Sequence, residues 1–596
     1  MYQLLDFETK KPMTTDDFVF TGEDSPWEVK MDMEAIKKKI NLDYFTSAAP
    51  CLSKYLALMP IQNPANFVSL RETATPLMKS KVLGKQLGID LYFKVEGKNP
   101  TGSFKDRGSA VDITVAKEMG AKGVILASTG NMAASCSCYA AAAKIPCFIV
   151  VPEGVSMSKL AQVISFGGKI VQVKGTYNDA ADLAYKLAKK MGFYLAGDYA
   201  FRVEGQKTGA FEIIDQMLFQ VPDSVIIPIG CGTNMTAYAR GFDEYEQLGL
   251  ITKKPKLIGV QATGAKALVN SYRKNLKKIE PTQTCDTFAT AIAVPNPIDG
   301  AKALAGIYAS GGDAGDVTDT EMLEAQYILS TQEGLFVESA SAATVAYLLK
   351  KAKSGKLKNE TVVCVLSGDG LKDPSVVIKA AIQPPTIYPK VDEFMKLFDS
   401  KFFDNKTMVF FEKDQVIFTS MPTTTKIKSE LGRLFGPHYD DRFVLKIERI
   451  LSSFIQKGKA ITISDFQDIV QDARETLNGN KPMDFHVKDF KVCTAMNQIS
   501  DAEVTVMISD TEYRAEHSGV GPVDAVIQAL CKACPNEISF KLTDYQVKMR
   551  SQGVDAAVYV ELKLLKDGFA SEGHAASPDI IQASVEAFQD AYNACV

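Results

Sequence analysis

Between residues 90 and 375 short β-branched runs alternate with helical stretches, and this alternation limits the chain more than any other feature. "GVILAS" (123–128), "CFIVV" (147–151), "KIVQV" (169–173), "SVIIPIG" (224–230), "KLIGVQA" (256–262) and "TVVCVLSG" (361–368) read as buried strands. Between them "NDAADLAYKLAKKMG" and "SAATVAYLLKKAKSG" carry helical periodicity and stop at glycine, which closes a helix in the left-handed conformation. The pattern predicts an α/β fold, an open parallel sheet with covering helices. In such sheets ligands bind beyond the carboxyl ends of the strands, where loops meet helix N-termini.

At 596 residues the chain exceeds one ordinary core, and about two to four domains are expected. Near residue 376 the alternation stops. "QPPTIYPKVDEF" is a proline-marked exit, and "FMKLFDSKFF", "KIKSELGRLFG" and "VLKIERILSSFIQ" present helical faces joined by short loops. From residue 485 strand-like "FHVKDFKVCTA", "EVTVMIS" and "AAVYVELKLL" interleave with helical "GPVDAVIQALCKA" and "SPDIIQASVEAFQDAYNA", enough for a second compact domain. No repeat at solenoid periods and no low-complexity tract stands out.

Composition removes several classes of function. A net charge of −4 offers no basic surplus for nucleic acid. Apolar runs break well before the ~18 residues of a membrane span. "MYQLLDFETKKPM" has acids and lysines where a secretory signal has its apolar centre, so a cytoplasmic protein is expected. Eleven cysteines without framework spacing read as reduced, mostly buried thiols. The close pairs Cys136/Cys138 and Cys531/Cys534 lack the further ligands of a zinc site, and no metal is expected. All four histidines, His438, His486, His517 and His574, lie in the last third. Chemistry in residues 1–437 must therefore use lysine, carboxylates, hydroxyls or a cofactor.

The loops at the strand ends supply the candidates. Lys105 stands in "NPTGSFKDRGSA" (99–110), a glycine-cushioned turn into a helix. Ser128-Thr129-Gly130-Asn131 follows "GVILA", Gly230-Cys231-Gly232-Thr233-Asn234 follows "SVIIPI", and Ser367-Gly368-Asp369-Gly370 follows "TVVCVL". A desolvated lysine with few acceptors has a lowered pKa and favours Schiff-base chemistry with an aldehyde. Pyridoxal phosphate needs such an amine, a loop for its dianion, a contact to its phenolic oxygen and a partner for its ring nitrogen. Lys105, the amide-rich turn Gly230 to Asn234, Asn131 and Ser367 offer these four. A turn that opens a helix holds phosphate with N–H groups and the helix dipole, without a basic side chain.

"NPTGSFKDRG", "STGNMAAS", "RVEGQKTGAFEI", "PIGCGTNMTAYARGF", "IGVQATGA" and "SGDGLKDP", in this order, resemble the threonine synthases, of fold type II of the pyridoxal-phosphate enzymes, the tryptophan synthase β-like fold. The resemblance covers about residues 70 to 385. It implies that Lys105 forms the Schiff base with pyridoxal 5′-phosphate and that Asn131 meets the phenolic oxygen. It further implies that Gly230, Cys231, Gly232, Thr233 and Asn234 cradle the phosphate and that Ser367 faces the ring nitrogen. The implied reaction converts O-phospho-L-homoserine and water to L-threonine and phosphate, with Lys105 moving protons. Four positions depart from the family: Glu153 stands where lysine is common, Ala196-Gly197 where Asn-Ser is found, and Asp369 where histidine is common. Ser128, Thr129, Lys159 and Arg202 remain candidates for an anionic substrate group.

"HSGVGPVDAVIQAL", "LTDYQVKMRSQGVDAAVYVEL" and "SPDIIQASVEAFQDAYN" resemble the regulatory domain of 2-isopropylmalate and citramalate synthases. In that family the domain dimerises and binds an amino acid. The resemblance implies an amino-acid effector near Gly519, Gly521 and Asp524, and a homodimer or higher homo-oligomer. The expected organisation is an N-terminal extension (1–65), a pyridoxal-phosphate-dependent catalytic domain (66–385), a linker or helical subdomain (386–483) and an α+β regulatory domain (484–596). The expected function is a threonine synthase-like lyase for a small phosphorylated amino acid. Two readings rival it. One is a cysteate synthase-like or other β/γ-replacement enzyme, which for O-phosphoserine eliminates phosphate and adds sulfite. The other is a non-catalytic amino-acid sensor that keeps the fold as a scaffold.

Overall fold

The six expected strands form, but in two sheets rather than one, and Lys169–Val173, expected to be buried, is an exposed edge strand. Lys169–Val173, Cys147–Pro152, Val124–Ala127 and Tyr194–Leu195, in that spatial order, make an all-parallel four-stranded sheet. Asp313–Val317, Lys256–Ala262, Ser224–Pro228, Thr361–Leu366, Asp90–Val95 and Leu77–Lys79 make a six-stranded sheet, parallel except at its last, antiparallel pair. Strand and helix in alternation is a local pattern that both sheets satisfy. Which strands become neighbours is decided by packing across the core, which no local pattern records.

The structure, a computed structural model, describes residues 2–15, 18–22, 25–40, 42–50, 52–72, 74–155, 157–283, 285–355, 359–381, 384–385, 387, 389–399, 416–418, 420–435, 441–456, 461–463, 465–466, 469–470, 473, 485–495, 498–508, 511–534, 540–549, 558–566 and 569–595. The end of "FMKLFDSKFF", beyond residue 399, lies outside them. The chain divides into two units, Met1–Ala380 and Ala381–Val596.

In the first unit, helices begin and end where local chemistry allows. Tyr177–Met191 opens on a capping box, in which Thr176 and Asp179 satisfy each other's backbone N–H groups, and closes on Gly192 at φ +67°. Residues before 66 belong to the same core. Phe20, Trp27, Val29, Ile36, Tyr55 and Leu58 are buried with Ile113, Phe201 and Phe211. Lys54 Nζ and Tyr55 Oη bind the Asp215 carboxylate at 2.5 and 2.7 Å, so this segment is tied to the helix Thr208–Gln216. In the six-stranded sheet, Ser224–Pro228, Thr361–Leu366 and Asp90–Val95 are parallel neighbours. Their carboxyl ends are therefore adjacent, and so are the loops that follow them.

The second unit is built on a duplication. Phe485–Cys493, Ser500–Ile508 and Thr511–Gly519 form an antiparallel sheet followed by the helix Pro522–Ala533. Phe540–Met549, Val558–Lys566 and Phe569–Ser577 form another, followed by Ile580–Cys595. The first strands echo each other, "FHVKDFKV" from residue 485 and "FKLTDYQV" from residue 540. Each breaks register before its aspartate, between Val487 and Asp489 and between Leu542 and Asp544. Two copies of a long unit leave no solenoid period to find. Phe485, Val504, Leu530, Leu562 and Phe588 share one core. The helices Thr424–Phe435 and Asp441–Gln456 bury Leu431, Ile447 and Leu451 in a second cluster that includes Tyr559 and Ala576.

Gly573 lies where the last helix crosses its sheet. An added Cβ would sit 2.1 Å from the Ala587 carbonyl oxygen and 2.4 Å from the Ala591 nitrogen. Gly573→Ala is expected to destabilise this unit by about 1 to 3 kcal/mol. Chemical denaturation followed by circular dichroism reads this as an earlier midpoint, and an unchanged midpoint would contradict the packing.

Candidate active site

The helix Lys105–Glu118 is anchored two residues past its start. Arg107 is fully buried and donates through Nε and Nη2 to Glu96 at 2.7 and 2.8 Å, and through Nη1 and Nη2 to Glu212 at 2.7 and 2.8 Å. Lys94 Nζ reaches the same Glu212 at 2.6 Å. Two cations face two carboxylates, and the cluster is neutral. Burial alone would raise the Glu212 carboxyl, but Arg107 and then Lys94 hold it below the ordinary carboxylate range. Glu96 also accepts from Asn99 Nδ2 at 3.0 Å, which extends the anchor into the loop before Lys105.

That loop is stapled along its length. Thr101 donates to Asp106 through its N–H at 2.7 Å and its hydroxyl at 2.6 Å. Phe104 N–H donates to the Ser367 carbonyl at 3.0 Å, and Asp369 N–H to the Gly102 carbonyl at 2.9 Å. Gly102 sits at φ +88° against Lys372, so only glycine turns here without strain. Lys105 leaves this frame with its Nζ 3.0 Å from Asp198 Oδ1, its side chain 16% exposed and that of Asp198 7%. Asp198 also accepts from the Cys231 thiol, which links the lysine to the next loop.

The turn at 230–234 is shaped as a cradle for an anion. Gly232 sits at φ +92°, and a Cβ there would lie 2.9 Å from the Asp299 carbonyl group. The helix Thr233–Gln247 opens with no side-chain cap. Thr233 Oγ1 and both amide atoms of Asn234 are buried without a hydrogen-bond partner. Buried polar atoms are almost always satisfied, so two orphan donors at one helix N-terminus, Thr233 Oγ1 and Asn234 Nδ2, fit a bound phosphate.

Asn131 and Ser367 are brought together by a residue that sequence reading missed. Glu338 accepts from Asn131 Nδ2 at 2.9 Å and from Ser367 Oγ at 3.1 Å. Burial raises its carboxyl pKa against these hydrogen bonds. The only signal in the sequence is an acid immediately before an apolar helix, which reads equally well as an exposed first-turn charge. Asp198 gave less still, a single aspartate in a short loop.

Amine, anion cradle, Asn131 and Ser367 are thus linked by contacts, through Asp198 and Cys231 on one side and through Phe104 and Glu338 on the other. The family model for pyridoxal-phosphate dependent enzymes matches residues 68–368. A threonine synthase of Methanocaldococcus jannaschii is 45% identical over 379 residues, 63% of this chain and 94% of that protein. The chain belongs to the pyridoxal-phosphate dependent enzyme family. A threonine synthase of Methanosarcina acetivorans is 39% identical over 398 residues, 66% of this chain and 97% of that protein. Residues 460–596 match the model for the LeuA allosteric (dimerisation) domain. Among solved structures, the processed form of threonine deaminase isoform 2 from Solanum lycopersicum covers 55% of this chain and 92% of its own, at 26% identity and TM-score 0.47. The enzyme is a pyridoxal-phosphate dependent, threonine synthase-like carbon–oxygen lyase. The unpartnered donors Thr233 Oγ1 and Asn234 Nδ2 fit the phosphate of that cofactor.

The candidates for the substrate end fare differently. Ser128 is buried, with its Oγ accepting from Gly130 N–H at 3.4 Å, and Thr129 beside it is half-buried. Lys159 is exposed on the helix Met157–Ser165, one turn before Gln162, whose Nε2 donates to the Thr101 carbonyl at 3.3 Å. Arg202 departs from expectation. Its side chain is fully buried, 3.0 Å from Asp112, and donates to the carbonyls of Gly197 and Lys105 at 2.9 and 3.2 Å. Its charge is matched and its donors are occupied, so it steadies the lysine's backbone rather than facing an anion. In the second unit, Asp524 accepts from Val520 N–H at 3.0 Å. Gly519 is required by close approach, since a Cβ would lie 2.4 Å from Ala525 N, whereas Gly521 faces open space. Among the described residues no helix is long and apolar enough to cross a membrane.

Arg107→Met leaves two buried carboxylates with Lys94 alone. A loss of about 3 to 5 kcal/mol in unfolding free energy at neutral pH is expected. The Glu212 pKa is depressed in the folded state, so its stabilisation is present above the unfolded value and lost as pH falls through the folded one. The deficit of the variant should accordingly narrow below about pH 4. Urea denaturation at neutral and acid pH measures both, and a deficit independent of pH would contradict the network.

Proposed function

We propose that the enzyme converts O-phospho-L-homoserine and water to L-threonine and phosphate. The observation that carries this reading is the contact chain joining the Lys105 amine, the unpartnered polar atoms of Thr233 and Asn234, Asn131 and Ser367, in a protein 45% identical to a threonine synthase. Lys105 carries the cofactor, Gly230, Cys231, Gly232, Thr233 and Asn234 hold its phosphate, Asn131 meets its phenolic oxygen and Ser367 its ring nitrogen.

Bound there, pyridoxal phosphate supplies an electron sink for negative charge at the substrate Cα. Lys105 Nζ would remove and return protons at the substrate Cα and Cβ. The bond that breaks is Cγ–O, and phosphate leaves with its electron pair. The oxygen of water bonds to Cβ, and Cγ gains the proton that completes the methyl group. Ser367 brings a neutral hydroxyl to the ring nitrogen, which does not force protonation there and suits elimination and replacement better than transamination. Ser128, Thr129 and Lys159 are the residues for the substrate phosphate.

A second substrate pair would use the same cofactor residues. Arg202 is sequestered by Asp112, and Ala196-Gly197 lacks polar side chains, so the substrate end is poorer in anion ligands than the cofactor end. O-phosphoserine with sulfite is the alternative pair. We further propose that the second unit dimerises and binds an amino acid at the turn from Gly519 to Asp524, which alters turnover in the first unit.

Phosphate release from purified enzyme should be rapid with O-phosphohomoserine and at least tenfold slower with O-phosphoserine, with or without sulfite; the reverse order selects the alternative. Lys105→Ala should abolish release, and retained activity would end the reading. Ser367→Ala should cost on the order of 1 kcal/mol in kcat/KM, as for one buried hydrogen bond. Calorimetry with leucine, isoleucine, valine, threonine and methionine should give heat for one of them with the full chain. That amino acid should change the kinetics of the full chain but not of a chain ending at Ala380. Heat from none, with unchanged kinetics on truncation, would leave the second unit as a structural lobe.

A further inference from the structure

We propose that Asp198 is a positioning residue that acts through Lys105, as the fixed counter-ion of its nitrogen. The inference rests on reading Lys105 as the cofactor-bearing amine. Asp198 Oδ1 lies 3.0 Å from Lys105 Nζ and Oδ2 lies 3.4 Å away, so the carboxylate faces the ammonium with both oxygens. The pair is nearly closed to water, and a charge held there cannot be screened as on a surface.

The groups around the pair leave it little choice of partner. Arg202 acts on Asp198 by charge, but its own ion pair is with Asp112. The Cys231 thiol donates to Asp198, and burial followed by the Asp198 charge keeps that thiol protonated. Tyr199 feels the same carboxylate and is held neutral, mainly by burial. Lys105 Nζ also stands 5.0 Å from the Phe104 ring centroid, a contact that favours a cation. Among these groups Lys105 is the cation hydrogen-bonded to Asp198. Burial opposes its charge, yet Lys105 and then Arg202 hold the Asp198 carboxyl below the ordinary range.

The consequence concerns where a proton rests. An opposite charge at hydrogen-bond distance favours the protonated nitrogen, whether it is a free ammonium or is bonded to the cofactor's aldehyde carbon. A proton taken from a substrate carbon then stays on Nζ, balanced by Asp198, until it is returned. The same carboxylate holds the freed amine beside the Cys231 turn.

The test follows the visible absorbance band of the cofactor-loaded full chain against pH. In Asp198→Asn the midpoint is expected to fall by about 1 to 3 pH units, with partial recovery in Asp198→Glu. An unchanged midpoint overturns the proposal. The second measurement needs no cofactor: labelling of Lys105 by an amine-selective reagent at mildly alkaline pH, mapped by mass spectrometry. Labelling should be about tenfold faster or more in Asp198→Asn, because the nitrogen loses the carboxylate that faces it at 3.0 Å. Equal labelling rates overturn the proposal even if the variant takes up no cofactor. Absence of the band from the unaltered protein would instead remove the reading of Lys105 itself.

Discussion

The site depends on the buried pairing of Arg107 with Glu96 and Glu212. Arg107 is two residues past Lys105, and its guanidinium joins the strand end that carries Glu96 to the helix that carries Glu212. A guanidinium suits this place because its planar fork meets two carboxylates at once and it is never deprotonated. Lys94, buried in the same cluster, cannot take its place, since burial pulls its ammonium pKa down even against the attraction of Glu212. A pair of this kind adds little stability over an apolar core of the same shape, yet it is costly to break by half. Its value lies in geometry: the first turn of the lysine helix has one position and one orientation.

The same logic orders the rest of the cleft. Arg202 with Asp112, Lys207 with Glu204 and Glu244, and Lys302 with Asp299 are matched pairs buried behind the loops. At the turn before the helix Thr233–Gln247, by contrast, the buried donors Thr233 Oγ1 and Asn234 Nδ2 have no partner and, among the described residues, no cation stands opposite them. Arg202, fully buried against Asp112 and donating to the Gly197 and Lys105 carbonyls, is not available to a substrate although its sequence motif is intact.

The second unit solves a different problem. Each three-stranded sheet with its helix is too small to bury a full core, and duplication gives each copy the other's apolar face, as Phe485 meets Phe588 and Tyr592. The aspartate-marked bulge in both first strands shows that the copies share a backbone irregularity as well as a pattern.

Local chemistry was legible in the sequence. Buried strands, helices stopping at glycine, the lysine turn and the amide-rich turn at 230–234 are each decided within about ten residues, where side-chain period and backbone φ preferences act directly. The partition of strands into two sheets was not legible, because both sheets share one local pattern. Nor were Asp198 and Glu338, which meet Lys105 and Asn131 across 93 and 207 residues of chain. Arg202 marks the boundary most clearly: its sequence says only that a cation is present. Burial, and the carboxylate that folding brings beside it, decide whether that charge faces a ligand or the protein itself.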